Sequence, residues 1–189
     1  MRPSAIRRVA VSAAVIACVM SAPKQEALAG QTRIFKEVCS GAFSTASFSF
    51  DGSGSAGQYT AECTTNIDGP GLKSGLSQNV TVSSGSCTAR DGTAGTKYDL
   101  LNRIAVTTST KDGSQIISSS DSGVECISNT TSVYEKTENW TITGGTGRFK
   151  NATGSGTEVI KGQVLAEPAS PDSGKFGVEQ TNSTGTISW

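Results

Sequence analysis

SVYEKTENWTITGGTGRFKNATGSGTEVIKG, residues 132–162, is the stretch whose reading decides the fold. From Ser132 to Thr143 the even positions are Tyr134, Lys136, Glu138, Trp140 and Ile142, and the odd ones are Val133, Glu135, Thr137, Asn139 and Thr141. Period-two alternation of this kind is the mark of a strand with two unlike faces. The even face carries the large rings, so it is the one expected to point inward. A glycine-rich turn follows, then a second alternating run in which Glu158 and Ile160 share the inward parity. Strand, tight turn, aromatic anchor and strand therefore read as one unit of an antiparallel sheet.

The same alternation continues on both sides. AFSTASFSF (42–50, with Phe48 and Phe50 on one face), QYTAECTT (58–65), QNVTVSS (78–84) and KYDLLNRIAVTTST (97–110) precede it, with QIISSS (115–120) and GVECIS (123–128). GTEVIKGQVLA (156–166) and FGVEQTNSTGTISW (176–189) come after. Between them lie the turn clusters DGSGSAG, IDGPG, RDGTAG, KDG and GGTG, and a Pro-bearing loop, PASPDSG (168–174). No segment keeps a 3.6-residue period. Eight or nine strands joined by hairpin-sized turns predict an all-β up-and-down antiparallel barrel, with a β-sandwich as the alternative. Gly52–Gly57 fits G-x-G-x-x-G, but a strand follows it where dinucleotide binding needs a helix N-terminus, so it reads as a hairpin loop.

The first 29 residues read as a secretory signal: Arg2, Arg7 and Arg8, then the apolar run Val9–Ala22, then Ala27-Leu28-Ala29 as a cleavage site. The run is too short to span a bilayer, and no later one is longer. The alternative is a lipid anchor on Cys18, since Val15-Ile16-Ala17-Cys18 resembles a lipobox. Cleavage before Gly30 leaves a single domain, residues 30–189, with 12 basic and 15 acidic side chains. Such a chain has no basic cluster for phosphate contacts, so nucleic acid is not among the expected partners. The expected location is secreted or periplasmic.

Four cysteines remain, Cys39, Cys63, Cys87 and Cys126, an even number suited to two disulfides in an oxidising compartment. Their spacings of 24, 24 and 39 lack the close pairs of a metal site. Pairing is open among three connectivities. If Cys87 and Cys126 flank one intervening strand they sit roughly 9.6 Å apart, beyond the reach of about 7 Å for a disulfide, unless the loop beside Cys87 folds over.

The sequence contains no His. Ser-His-Asp triads, Cys-His dyads and histidine-based zinc sites are excluded at once. No metal motif is present, no cofactor is expected, and G-x-S-x-G, S-x-x-K and P-loop patterns are absent from residues 30–189. Ser and Thr together number 50 of 189 residues, which gives a hydroxyl-rich surface of low charge. Asn79, Asn129, Asn139, Asn151 and Asn182 each open an N-x-[ST] triplet, a glycan acceptor in a eukaryotic secretory route.

The glycine turn resembles the G-G-T-G-x-F-x-x-A-x-G signature of plant dirigent proteins and their bacterial relatives in the allene oxide cyclase barrel-like group. The matching positions are Gly144, Gly145, Thr146, Gly147, Phe149, Ala152 and Gly154. The resemblance implies an eight-stranded barrel with a central cavity, in which the motif is structural. In those families the cavity steers phenoxy-radical coupling or cyclises a fatty-acid epoxide. No counterpart of their pocket residues is present here, so no activity carries over.

Candidate chemistry comes from charge at inward positions. Lys136, Glu138 and Glu158 fall inside by parity, between the aromatics Tyr134 and Trp140, and a buried charge is either paired or functional. Glu138 and Glu158 flank the turn, so they approach each other across a hairpin. A raised-pKa carboxyl there is the candidate general acid, with Tyr134, Lys136 and Trp140 as candidate ligand contacts. Asp99 and Arg103 share the face opposite Tyr98, Leu100, Ile104 and Val106 and are expected outside. The leading functional expectation is a non-catalytic module that holds a small apolar molecule in its lumen or contacts a surface. The alternatives are a cyclase-like or coupling-directing enzyme and a structural or adhesive exoprotein.

Overall fold

The computed structural model describes residues 30–46, 54–166 and 175–189. Eight strands take up most of that chain: β1 (Arg33–Ala46), β2 (Gly54–Thr65), β3 (Gly69–Thr88), β4 (Ala94–Ser109), β5 (Gln115–Ser128), β6 (Val133–Gly145), β7 (Thr153–Ala166) and β8 (Lys175–Ser188). Each pairs antiparallel with the next, and β8 returns to pair with β1, so the sheet closes as an up-and-down barrel. Closure leaves no unpaired sheet edge, and the sandwich alternative does not hold. The expected signal at 1–29 with Cys18 and the loop 168–174 lie outside the described residues, as do Phe48 and Phe50.

The count settles at eight because QIISSS and GVECIS are two halves of β5. The pairing of β5 with β6 slips between Ser119 and Ser122, and this bulge divides the strand's pattern without ending it. A second irregularity sits beside it in β4. Gln78 pairs with Leu101 and Ser77 with Arg103, so Asn102 is an extra residue, and it adopts a left-handed φ of 54°. Asn tolerates that region better than most side chains. The consequence is a change of face along β4. Leu100 points inward before the bulge, whereas Arg103 and Ala105 point inward after it. Arg103 is therefore buried and Ile104 is 54% exposed, which reverses the sequence expectation for both. Asp99 lies outside as expected.

One end of the barrel is sealed by an apolar plug: Phe35, Ile116, Trp140, Ile142, Phe149, Ala152 and Ile187, with Ile67 and Trp189 packed against it. Phe149 belongs to a short 3₁₀ turn, Gly147–Phe149, that connects β6 to β7. Its ring meets Trp189 edge-on at 5.6 Å, and Phe35 meets Trp140 at 5.4 Å. Burying one such ring contributes about 1.5–3 kcal/mol. Gly147 alone in the motif uses a positive φ, 57°. At Gly145 a side chain would overlap the Phe149 carbonyl, while Gly144 has open space around it. Thr146 ties the turn to β5, its amide donating to the Gln115 carbonyl (2.9 Å) and its hydroxyl accepting from the Gln115 amide (3.1 Å).

Arg148, the variable position of the motif, extends this closure sideways. Its guanidinium pairs with Asp68 in the β2–β3 turn, and its Nε lies 3.7 Å from Asp112 in the β4–β5 turn. Three connections at the same end are thereby joined through one side chain. The KDG turn forms as expected, with Gly113 at φ 72° and its amide donating to Ser109.

The two disulfides are Cys39–Cys63 and Cys87–Cys126. Cys39 and Cys63 are direct cross-strand partners on β1 and β2, with both sulfurs buried in the lumen. The outward face is hydroxyl- and amide-rich: Thr137, Asn139, Thr141, Thr157, Gln180, Asn182, Thr184 and Thr186 are among its positions. No helix among the described residues is long and apolar enough to cross a membrane.

Candidate functional site

Inward parity on β6 delivers Tyr134, Lys136, Glu138 and Trp140 into the lumen, and all four are buried. The β6–β7 register makes Glu138 and Glu158 direct cross-strand partners. Two carboxylates at that separation repel strongly in a low-dielectric interior. Arg103, delivered by the β4 bulge, lies between them: its Nη1 donates to Glu138 Oε2 at 2.9 Å and to Glu158 Oε2. From β3, Lys73 Nζ donates to Glu158 Oε1 at 2.8 Å and to Glu37 Oε1 of β1 at 2.6 Å. Lys136 Nζ lies 3.8 Å from Glu138 Oε1. The Thr107 hydroxyl completes Glu37, donating to Oε2 at 3.2 Å.

Three cations and three carboxylates thus form a continuous, charge-balanced band from β1 across to β7. Beyond it, away from the plug, the Tyr134 hydroxyl donates to Glu179 Oε2 at 2.9 Å, and Phe43 meets the Tyr134 ring edge-on. Glycines make room for the rings. A side chain at Gly162 would overlap Tyr134, one at Gly156 or Gly185 would approach the Trp140 ring too closely, and one at Gly75 would overlap Tyr59. Arg103 stacks on that Tyr59 ring, 4.5 Å from its centroid. Lumen volume that the glycines release is filled by aromatic carbon.

The band sets the ionisation of its members. Burial alone would push Glu158 up, but Lys73 and Arg103 outweigh it and hold the carboxyl down at about 2. The sequence expectation of a raised general acid fails at this residue, because the cations that reach it come from β3 and β4. Burial opposes the charge on Lys73 and Arg103, yet their carboxylate partners raise both above their ordinary values. Burial, with Glu179 beside it, pushes the Tyr134 phenol up. Burial likewise raises Glu125, which faces Lys136 across β5 and β6.

Glu158 carries a pH signature. Its folded value is depressed from 4.5 to about 2, so its stabilisation is fully present above 4.5 and is lost as pH falls toward 2. A shift of that size corresponds to about 3 kcal/mol. Urea midpoints measured from pH 6 down to 2 are expected to fall over that window. Glu158→Gln should start lower at pH 6 and show a flatter acid limb; an unchanged limb would assign the loss to other groups.

Between the band and the plug lies a cavity of about 20 Å³ lined by Phe35, Glu37, Lys73, Thr107, Ile116, Ser118, Trp140, Ile142, Glu158 and Ser183. Ligand pockets for drug-sized molecules hold roughly 300–1,000 Å³. Glu37 with Cys39 and Cys63 is the one cluster of ligating types among the described residues, and both its sulfurs are held in the disulfide.

No family model, curated protein or solved structure matches the chain.

Of the residues expected from sequence, Tyr134, Lys136, Glu138, Trp140 and Glu158 share the lumen, although Trp140 belongs to the plug and the rest to the polar part. Sequence reading missed Glu37, Lys73, Arg103 and Glu179. Each sits beside an aliphatic that points the other way: Val38, Leu72, Ile104 and Val178, all between 46% and 57% exposed. Here the charge is inside and the aliphatic outside, opposite to the usual direction of an alternating strand. A run of such inverted pairs is the signal that would have found them.

Proposed function

We propose that this protein is an extracytoplasmic, disulfide-stapled barrel that acts without catalysis, as a structural or surface-contacting module working through its outer face. The observation that carries this reading is the charged band, which among the described residues fills the lumen between β1, β3, β4, β6 and β7. Of the two leading expectations, holding a small apolar molecule and contacting a surface, a charged band beside a cavity of about 20 Å³ favours the second. An apolar molecule placed there would separate Lys73 and Arg103 from their carboxylates, and leaving such charges unpaired costs about 3–5 kcal/mol. The enzyme alternative cast Glu158 as a general acid, and Lys73 and Arg103 hold that carboxyl ionised.

Secretion through residues 1–29 belongs to the same proposal and is supported by two disulfides, which persist in oxidising compartments. So does kinship with the allene oxide cyclase barrel-like group. Its support is the strand number and the position of the motif, whose Phe149 lies in the plug between β6 and β7.

Native and denaturing mass spectrometry of protein purified from its own host tests the reading. The expected mass is that of residues 30–189 less four hydrogens, identical in both modes. A discrete small molecule released on denaturation would overturn the occupied-lumen reading. Retention of Cys18 with added mass that survives denaturation would replace secretion by lipid anchorage.

A further inference from the structure

The cavity between the charged band and the plug has one polar wall and one apolar wall. Glu37, Lys73, Thr107, Ser118, Glu158 and Ser183 supply the polar side. Two polar atoms among its lining residues, Trp140 Nε1 and Ser183 Oγ, are buried with no hydrogen-bond partner. Trp140 is 6% exposed and Ser183 is 2% exposed, so bulk solvent does not satisfy them. A buried polar atom without a partner costs about 1–3 kcal/mol, and native proteins rarely leave one.

We propose that this cavity binds a single internal water molecule, which accepts from Trp140 Nε1 and bonds to Ser183 Oγ and to a carboxylate of the band. Size selects the occupant: a water needs at least about 10–15 Å³ of such space and two to four polar partners, and the cavity offers about 20 Å³. Charge selects a neutral species. Glu37 and Glu158 already share Lys73, and Glu158 also holds Arg103, so neither a cation nor an anion is called for. The indole N–H is a donor only and therefore needs an acceptor, which a second ammonium-type group would not provide. A water both accepts from Trp140 and donates to a carboxylate. It thereby extends the hydrogen-bonded band down to Trp140 of the plug.

The test is oxygen-17 magnetic relaxation dispersion on the oxidised wild-type protein and on Ser183→Val, whose added methyl fills the cavity and removes the hydroxyl. The wild type is expected to show at least one long-lived internal water more than the variant. Equal counts in two folded proteins would overturn the proposal. Should Ser183→Val fail to fold, a crystal structure of the wild type decides: a single density peak within hydrogen-bond distance of Trp140 Nε1 supports the site, and an empty cavity refutes it. Urea midpoints in sodium, potassium and ammonium chloride at equal ionic strength are expected to coincide. A cation-specific rise that is absent from Ser183→Val would mean that an ion occupies the cavity instead.

Discussion

Arg103→Leu is expected to lower the unfolding free energy by about 3–5 kcal/mol, the cost of leaving buried carboxylates without their cation. Arg103 is 5% exposed and bridges Glu138 to Glu158, which face each other directly across β6 and β7. Without it Glu158 keeps Lys73 at 2.8 Å, whereas Glu138 keeps, among the described residues, Lys136 at 3.8 Å. Most of the penalty should therefore fall on Glu138. Adding Glu138→Gln to Arg103→Leu tests that assignment, since it removes the less compensated charge and is expected to recover part of the loss. Urea denaturation at pH 7 gives both numbers, provided the slope m is unchanged. A cost below about 1 kcal/mol for Arg103→Leu would place the band in the class of solvated ion pairs and would remove the support it gives to a non-catalytic role.

The face on which Arg103 lies marks where sequence reading stops. Alternation on β6 and β7 was legible because neither strand is interrupted from Tyr134 to Ile142 or from Glu158 to Ile160, so parity there maps directly onto inside and outside. On β4 the same reasoning placed Arg103 outside, because one residue at Asn102 shifts every later side chain to the opposite face. An Asn in the middle of an apolar strand is a weak sign of a bulge, since Asn139 and Asn182 occupy regular outward positions of this same barrel. The paired bulge in β5 hid the strand number in the same way, dividing one element into two apparent ones.

The band was only half legible for a second reason. Hydrophobicity predicts burial on average, yet at Val38, Leu72, Ile104 and Val178 the aliphatic is outside and its charged neighbour inside. Partners settle which of two neighbours is buried. Lys73 enters because Glu37 and Glu158 are already there, and that fact joins β1, β3 and β7, which no local window contains. Phe149 and the glycine turn, by contrast, were readable in place because a turn and its anchor are contiguous in sequence.

Removing the Cys87–Cys126 disulfide is expected to be the other large loss, about 4 kcal/mol for a loop of 39 residues, slightly more than the roughly 3.5 kcal/mol for the 24-residue loop of Cys39–Cys63. Cys87 lies on β3 and Cys126 on β5, with β4 between them, and flat strand spacing alone would hold them roughly 9.6 Å apart. Their Cα atoms are 6.1 Å apart. Gly95, the β4 residue paired with Cys87, explains the difference. A Cβ there would stand 3.1 Å from Cys126 Sγ and 2.6 Å from the Ile127 carbonyl, so the sheet curls over a residue that has no side chain. The double variant Cys87→Ala, Cys126→Ala should unfold in urea at a midpoint lowered to match the predicted loss. Gly95→Ala should also lower the midpoint, because the added Cβ overlaps the Ile127 carbonyl where the sheet curls. Because Cys39 and Cys63 are buried while Cys87 and Cys126 are partly exposed, limiting reductant should open the second bridge first. Stability unchanged after that first reduction would mean that barrel closure between β1 and β8, and not the bridge, holds the curled side of the sheet.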